Sequence, residues 1–255
     1  MLRVLILGGT TEGSALAHAL DGDARFHATL SLAGVTRAPA LPRIATRIGG
    51  FGGADGLAAW LRDTGTTVLI DATHPFAQRI SLNAVAAAAT AHVALLRVAR
   101  PEWRAIPGDR WTAVPDMVAA APALGTVPRR VLLTIGRKDL APFRDHPQHD
   151  YLVRSVDAPP PELLPHACKL VTARGPFRLE DELSLLSRHR IETIVTKNSG
   201  GSAIAAKLDA ARRLGLDVVM VARPPPVPAP HVPDWQDALR WLEARQLTPP
   251  TSLAL

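Results

Sequence analysis

A chain of 255 residues is long enough for one large or two small domains, each with its own core. With 47% hydrophobic and 20% charged residues, no apolar run near the roughly 20 residues that span a bilayer, and Leu2–Leu7 running into glycines without a cleavage-like site, a cytoplasmic protein without membrane contact is expected. Cys168 is the sole cysteine, so an internal disulfide and a cysteine-based metal cage are excluded and no metal is expected. The net charge of +6 suits either a nucleic acid or an acidic small ligand. Scattered arginines, 4% aromatic content and no basic run beyond two residues favour the small polyanion, with a plain basic surface as the alternative.

Strand-like and helix-like runs alternate, which predicts βαβ units and parallel sheets. Val4–Leu7 is a short aliphatic strand, followed by a helix over Thr11–Leu20 with Leu16, Ala19 and Leu20 at helical spacing. Strands are predicted at His27–Leu32, Arg43–Ile48, Thr67–Ile70 and Val93–Val98, with helices at Ala54–Arg62 and the alanine-rich Ala77–Ala91. After Arg100-Pro101 the pattern loosens, Pro115–Leu124 reads as a helix, and Gly125–Arg129 reads as a linker. Strands then resume at Val131–Ile135, Tyr151–Val156, Leu170–Ala173, Thr193–Val195 and Val218–Val221, with helices at Leu179–Arg188 and Ala203–Leu214. Pro224–Pro233 carries six prolines and is expected as a turn or extended loop before a last helix over Trp235–Arg245. The predicted architecture is α/β, with two Rossmann-like domains of mainly parallel strands, 1–126 and 127–255.

Gly8-Gly9-Thr10-Thr11-Glu12-Gly13 lies between the first strand and the first helix, where backbone N–H groups and a helix N-terminus hold a pyrophosphate. Gly8 and Gly13 fit the outer positions of G-x-G-x-x-G, and Thr10 stands at the middle one; a ligand-free βα turn is the alternative. NAD sites place an acid at the end of the second strand, yet from Ala24 through Ala54 there is no Asp or Glu. That stretch has Arg25, Arg37, Arg43 and Arg47, with Ser31 and Thr36 near the strand end. A 2′-phosphate would meet hydroxyls and guanidinium there, so NADPH is expected, with Arg37 as the contact.

Ligands of open α/β sheets bind at the carboxyl ends of strands. After the third strand, Gly49-Gly50-Phe51-Gly52-Gly53 lets backbone lie against a ligand, with Phe51 offering a flat face. After the fourth comes Asp71-Ala72-Thr73-His74-Pro75-Phe76-Ala77, where Thr73 or His74 suits a helix cap and Pro75 a first turn. His74 and Phe76 lie where a nicotinamide is expected, and His74 could orient an acidic substrate or donate a proton. In the second half Gly136-Arg137-Lys138-Asp139, Ala173-Arg174-Gly175-Pro176-Phe177, Thr196-Lys197-Asn198-Ser199-Gly200-Gly201-Ser202 and Arg223-Pro224 each follow a strand. Four strand ends presenting Arg or Lys predict a site for several carboxylates or phosphates.

Five of these segments, Gly8–Gly13, Asp71–Ala77, Gly136–Lys138, Arg174–Phe177 and Lys197–Gly201, resemble in order the precorrin-6A reductase family of cobalamin biosynthesis. Gly34-Val35-Thr36-Arg37 is similar to the family's Gly-Arg-Thr-Arg stretch, with Val35 in place of an arginine, which leaves more of the 2′-phosphate to Arg37. The resemblance implies two Rossmann-like domains with a cleft between them, NADPH on the first and a tetrapyrrole across the second. It implies hydride transfer to a ring double bond of precorrin-6A, giving precorrin-6B. Gly8–Gly13, Gly50, Phe51 and Thr73–Phe76 would line the cofactor. Arg137, Lys138, Arg174, Gly175, Lys197, Asn198, Ser199, Gly200 and Arg223 would hold substrate carboxylates. No nucleic acid is then needed as partner, although transient contact with neighbouring pathway enzymes fits. The alternatives are reduction of the cobalt-containing analogue and a non-catalytic NADP(H)-sensing module.

Overall fold

The computed structural model of the chain describes residues 1–34 and 42–247. In chain order, the first run is β1 (Leu2–Leu7), α1 (Thr11–Ala19), β2 (Phe26–Leu32), β3 (Ala45–Ile48), α2 (Ala54–Asp63), β4 (Val68–Asp71), α3 (Gln78–Ala91) and β5 (Ala94–Val98). A second run follows: β6 (Arg110–Val114), α4 (Met117–Ala120), β7 (Arg130–Thr134), β8 (Asp150–Ser155), β9 (Cys168–Thr172), α5 (Leu179–Arg188), β10 (Thr193–Lys197), α6 (Ala206–Leu214) and β11 (Asp217–Val221). The chain closes with β12 (His231–Val232) and α7 (Trp235–Leu247).

Two sheets form, β12-β5-β4-β1-β2-β3 and β6-β11-β10-β7-β8-β9, and every neighbouring pair in both is parallel. Alternation along β1 explains the layers of the first. Val4 and Ile6 point to a core shared with α1 and α7, while Leu5 and Leu7 point to one shared with α2 and α3. A strand buried on both faces reads as a continuous aliphatic run, which is why β1 is legible from sequence. In the second sheet Leu132, Leu152, Ile194, Val218 and Met220 pack with Leu186, Leu208 and Ala211 of α5 and α6.

The domain division differs from the boundary expected at 126/127. One unit is Met1–Pro101 with Pro224–Leu255, and the other is Glu102–Arg223. Gly125–Arg129 is therefore internal to the second unit. Two pairings set the division: β6 lies beside β11 in register Asp217↔Arg110, and β12 lies beside β5 while Ala238 and Leu242 of α7 enter the first core. The sequence pattern predicts no strand at β6, because this edge strand exposes most of Arg-Trp-Thr-Ala-Val and lacks an apolar run. The expected helix over Pro115–Leu124 is α4 followed by a short 3₁₀ turn at Pro122–Leu124. The proline segment is irregular, with a bend at Pro228-Ala229 where Ala229 N donates to Val227 O (2.9 Å), and its two-residue β12 occupies an edge, where missing N–H groups are tolerated.

Candidate functional site

In the first unit the chain leaves β1 for β2 on one side, while β4 lies on the other, so strand order reverses between β1 and β4. At such a reversal the two following loops diverge and leave a crevice at the carboxyl edge. The Gly8–Gly13 turn and the Asp71–Ala77 loop flank it. Gly9 has φ of +115°, a conformation closed to ordinary side chains, and a Cβ there would meet nothing within 4 Å. A Cβ on Gly13 would lie 3.2 Å from Gly8 Cα and 3.3 Å from Ala72 Cβ, so glycine lets α1 close on the strand ends. The turn is thus bare backbone leading into a nine-residue helix, a cradle of the kind that holds phosphate.

Thr10 shows why threonine occupies the middle place of the glycine pattern. It is the N-cap of α1, its hydroxyl accepting from Gly13 N (3.1 Å) and donating to the carbonyl of Ala72 (2.7 Å). One side chain thereby caps the helix and ties the turn to β4. Glu12 sits in the first helical turn, where its carboxylate pairs with Arg100 (2.9 Å) and accepts from Thr11 Oγ1 (3.0 Å). Burial pushes this carboxyl up, but the Arg100 charge and the hydrogen bonds outweigh it and hold it below the usual range. The pair also cancels a negative charge beside the glycine turn.

The expectation that Thr73 or His74 caps α3 does not hold. The helix starts at Gln78, its N-cap is Ala77, and no side chain caps it. Thr73 turns back instead, its N–H and hydroxyl both donating to Asp71 Oδ1 (3.1 and 2.7 Å). Asp71 is buried and its other oxygen pairs with Arg97 of β5 at 3.0 Å. His74 Nδ1 accepts from Phe76 N (3.2 Å), and the two rings lie 5.7 Å apart. That bond places the proton of the neutral imidazole on Nε2. At the other end of the edge, Ser31, Phe51 and Gly50 surround Arg47, a residue absent from the expected site. Thr36 and Arg37 lie outside the described residues.

The second unit repeats this arrangement. Strand order reverses between β7 and β10, and because all strands run parallel, the four cationic segments share one sheet edge. Arg137, Lys138 and Arg174 are exposed. Lys197 ends β10 and its Nζ lies 2.6 Å from Asp139 Oδ2, which bridges the loops after β10 and β7. Asn198 does structural work: its amide oxygen accepts from Trp103 N (2.9 Å) and its amide nitrogen donates to Trp103 O (3.0 Å). Arg223 Nε donates to Asn198 O (2.8 Å), Ser199 is buried, and Trp103 Nε1 donates to Gly201 O (3.0 Å). Gly200 has positive φ, and Gly175 is joined to Pro176 by a cis bond. Asp139, Arg97, Arg100 and Trp103 carry no sequence signal of their own, since each acts through a partner distant in the chain.

Fold and edges together define a two-unit protein of doubly wound parallel sheets, with a bare phosphate-type turn in the first and a cationic edge in the second. Residues 3–243 match the family described as Precorrin-6x reductase CbiJ/CobK. The chain belongs to that family. It is 51% identical to the precorrin-6A reductase of a Sinorhizobium species (93% of this chain, 91% of that one) and 48% to that of Rhodobacter capsulatus (98% and 99%). A cobalt-precorrin-6A reductase of Priestia megaterium is 30% identical (87% and 90%). A solved structure described as CobK precorrin-6A reductase superposes with a TM-score of 0.91 at 45% identity, covering 99% of this chain and 100% of the other.

Proposed function

We propose that the protein is a precorrin-6A reductase, an oxidoreductase that adds hydride and a proton across a ring double bond of precorrin-6A to give precorrin-6B, with NADPH as reductant. The observation that carries this reading is the bare Gly8–Gly13 turn at the β1/β4 reversal in a chain of this family. When bound, NADPH supplies the hydride. The residues contribute position. Backbone of Gly9–Gly13 and the N-terminus of α1 hold the pyrophosphate, with Thr10 keeping the turn against β4. Asp71 fixes Thr73, and the Phe76 N–H orients His74 with its proton on Nε2, so that this N–H would orient the substrate by a hydrogen bond while the proton for the neighbouring carbon comes from the substrate or solvent.

The cations after β7, β9, β10 and β11 would take substrate carboxylates. Arg137, Lys138 and Arg174 are exposed and would contact substrate directly; Lys197, paired with Asp139, and Arg223, bonded to Asn198 O, would shape the edge. The metal-free substrate is favoured over the cobalt analogue because precorrin-6A relatives stand at 46–51% identity and cobalt-precorrin-6A relatives at 28–32%. The test mixes purified protein with precorrin-6A and either NADPH or NADH, and follows cofactor oxidation together with the tetrapyrrole spectrum. Turnover with NADPH is expected. No turnover with either reductant overturns the assignment, and preference for NADH overturns the choice of cofactor.

A further inference from the structure

The acid-free stretch between Ala24 and Ala54 contains four arginines, and the fold sorts them. Arg25 precedes β2 and is neutralised by Asp23 (2.7 Å) and Glu243 (2.9 Å), so it sits at the wrong end of the strand with its charge answered. Arg43 precedes β3 and is exposed. Arg37 lies outside the described residues. Arg47 is different: it lies at the carboxyl end of β3, in register with Ser31 of β2, which is in register with Leu7 of β1.

Arg47 reaches across to the end of β2. Its NH1 donates to Ser31 Oγ (2.8 Å) and Gly49 O (2.9 Å), and its NH2 donates to Gly50 O (2.9 Å). The guanidinium carbon stands 3.8 Å from the centre of the Phe51 ring, which in turn meets Trp60 edge-on at 5.8 Å. The loop supporting this stack is itself tightly fixed. A Cβ on Gly56 would lie 1.8 Å from Phe51 O, so only glycine allows the approach. Ser31 is buried, its carbonyl accepts from Gly8 N (2.9 Å), and it links Arg47 to the phosphate turn through one residue.

The three acceptors of Arg47 are all neutral, and no described carboxylate pairs with it. Burial pushes its pKa below the ordinary guanidinium value, so the cation is partly desolvated without an acid in compensation. Of five N–H donors three are used, and the remaining two, with the Ser31 hydroxyl proton, suit a doubly charged oxyanion. An enzyme taking NADH would carry a carboxylate at this strand end.

We infer that Arg47, seated on Phe51 and held by Ser31, is the residue that binds the 2′-phosphate of the cofactor and sets its specificity. This rests on the NADPH reading above. It moves the discriminating charge from the β2–β3 connection, where sequence pattern put Arg37, to the end of β3.

Binding of 2′,5′-ADP and of 5′-AMP to the full chain, measured by titration calorimetry, tests it without turnover. The wild type should prefer 2′,5′-ADP. Arg47→Ala should weaken 2′,5′-ADP by about tenfold to a hundredfold, the span of a charge-assisted bond, and leave 5′-AMP within about threefold. Arg47→Lys, which keeps the charge but not the planar fork, should give a smaller loss of the same sign, and it decides the matter if the alanine variant does not fold. A wild-type preference that survives in both variants overturns the role of Arg47 alone. Equal binding of the two nucleotides by the wild type overturns the NADPH reading, and this inference with it.

Discussion

His149, in the connection just before β8, is wholly buried, with its ring 6.0 Å from that of Tyr151. Burial, with smaller contributions from the nearby charges of His146 and Arg129, lowers its pKa below the ordinary 6.5. Folding therefore favours the neutral ring, and the unfolded chain binds the extra proton. Its contribution to stability is complete above about pH 6.5 and is lost as pH falls from there through the folded value. Glu12 acts in a separate window, since its lowered carboxyl supports folding above its ordinary 4.5 and ceases to do so in more acid solution. Urea unfolding of the wild type and of His149→Gln at pH 7.5, 6.5 and 5.5 separates the two. The wild type should lose stability toward pH 5.5 more steeply than the variant, and parallel pH dependences would show that His149 does not titrate against folding. At the same scale, Thr10 and Arg47 show how one side chain fixes a loop backbone: the first ties a turn to the end of β4, the second a glycine loop to β2.

Pairs of elements are joined by buried charge. Arg154 of β8 pairs with Glu182 of α5 at 7% and 1% side-chain exposure, and its guanidinium lies 4.1 Å from the Phe177 ring centre. A buried pair gains little over an apolar replacement, yet losing one member leaves an uncompensated charge. Arg154→Met should cost about 3–5 kcal/mol in denaturant unfolding, while Arg154→Met with Glu182→Met should recover most of that loss. A double variant as unstable as the single one would show that β8 and α5 need the ion pair itself. Because Phe177 belongs to the loop after β9, the single variant should also disturb the segment around Arg174. Asp71 and Arg97 form the corresponding join between β4 and β5, behind the loop that carries His74.

The two units repeat one topology. Five strands run β3-β2-β1-β4-β5 in the first and β9-β8-β7-β10-β11 in the second, each reversing beside its first strand and each receiving a sixth strand on the same flank. The sixth strands come from outside the simple halves: β12 follows the second unit in sequence, and β6 precedes its own five. A fragment of residues 102–223 should therefore unfold cooperatively by circular dichroism. A fragment of residues 127–255 should not, since it loses β6 and carries α7 without the core that Ala238 and Leu242 fill. Equal cooperativity of the two fragments would contradict this division.

Much of the molecule was legible before folding is considered. Aliphatic runs in strands buried on both faces, glycines at strand ends and the absence of acid from Ala24 to Ala54 act locally, so the order of elements, the glycine turn after β1 and the cationic segments follow from sequence. An exposed edge strand such as β6 has no such signature, and neither does a side chain whose partner lies many residues away. Only the tertiary structure decided that β12 and α7 return to the first unit, that Asn198 braces Trp103, and that Lys197 answers Asp139. It also decided that Arg47, among the described arginines of the acid-free stretch, reaches from β3 to Ser31 at the end of β2, because strand register and the approach of Phe51 to Gly56 are set by packing between elements and not by neighbours in the chain.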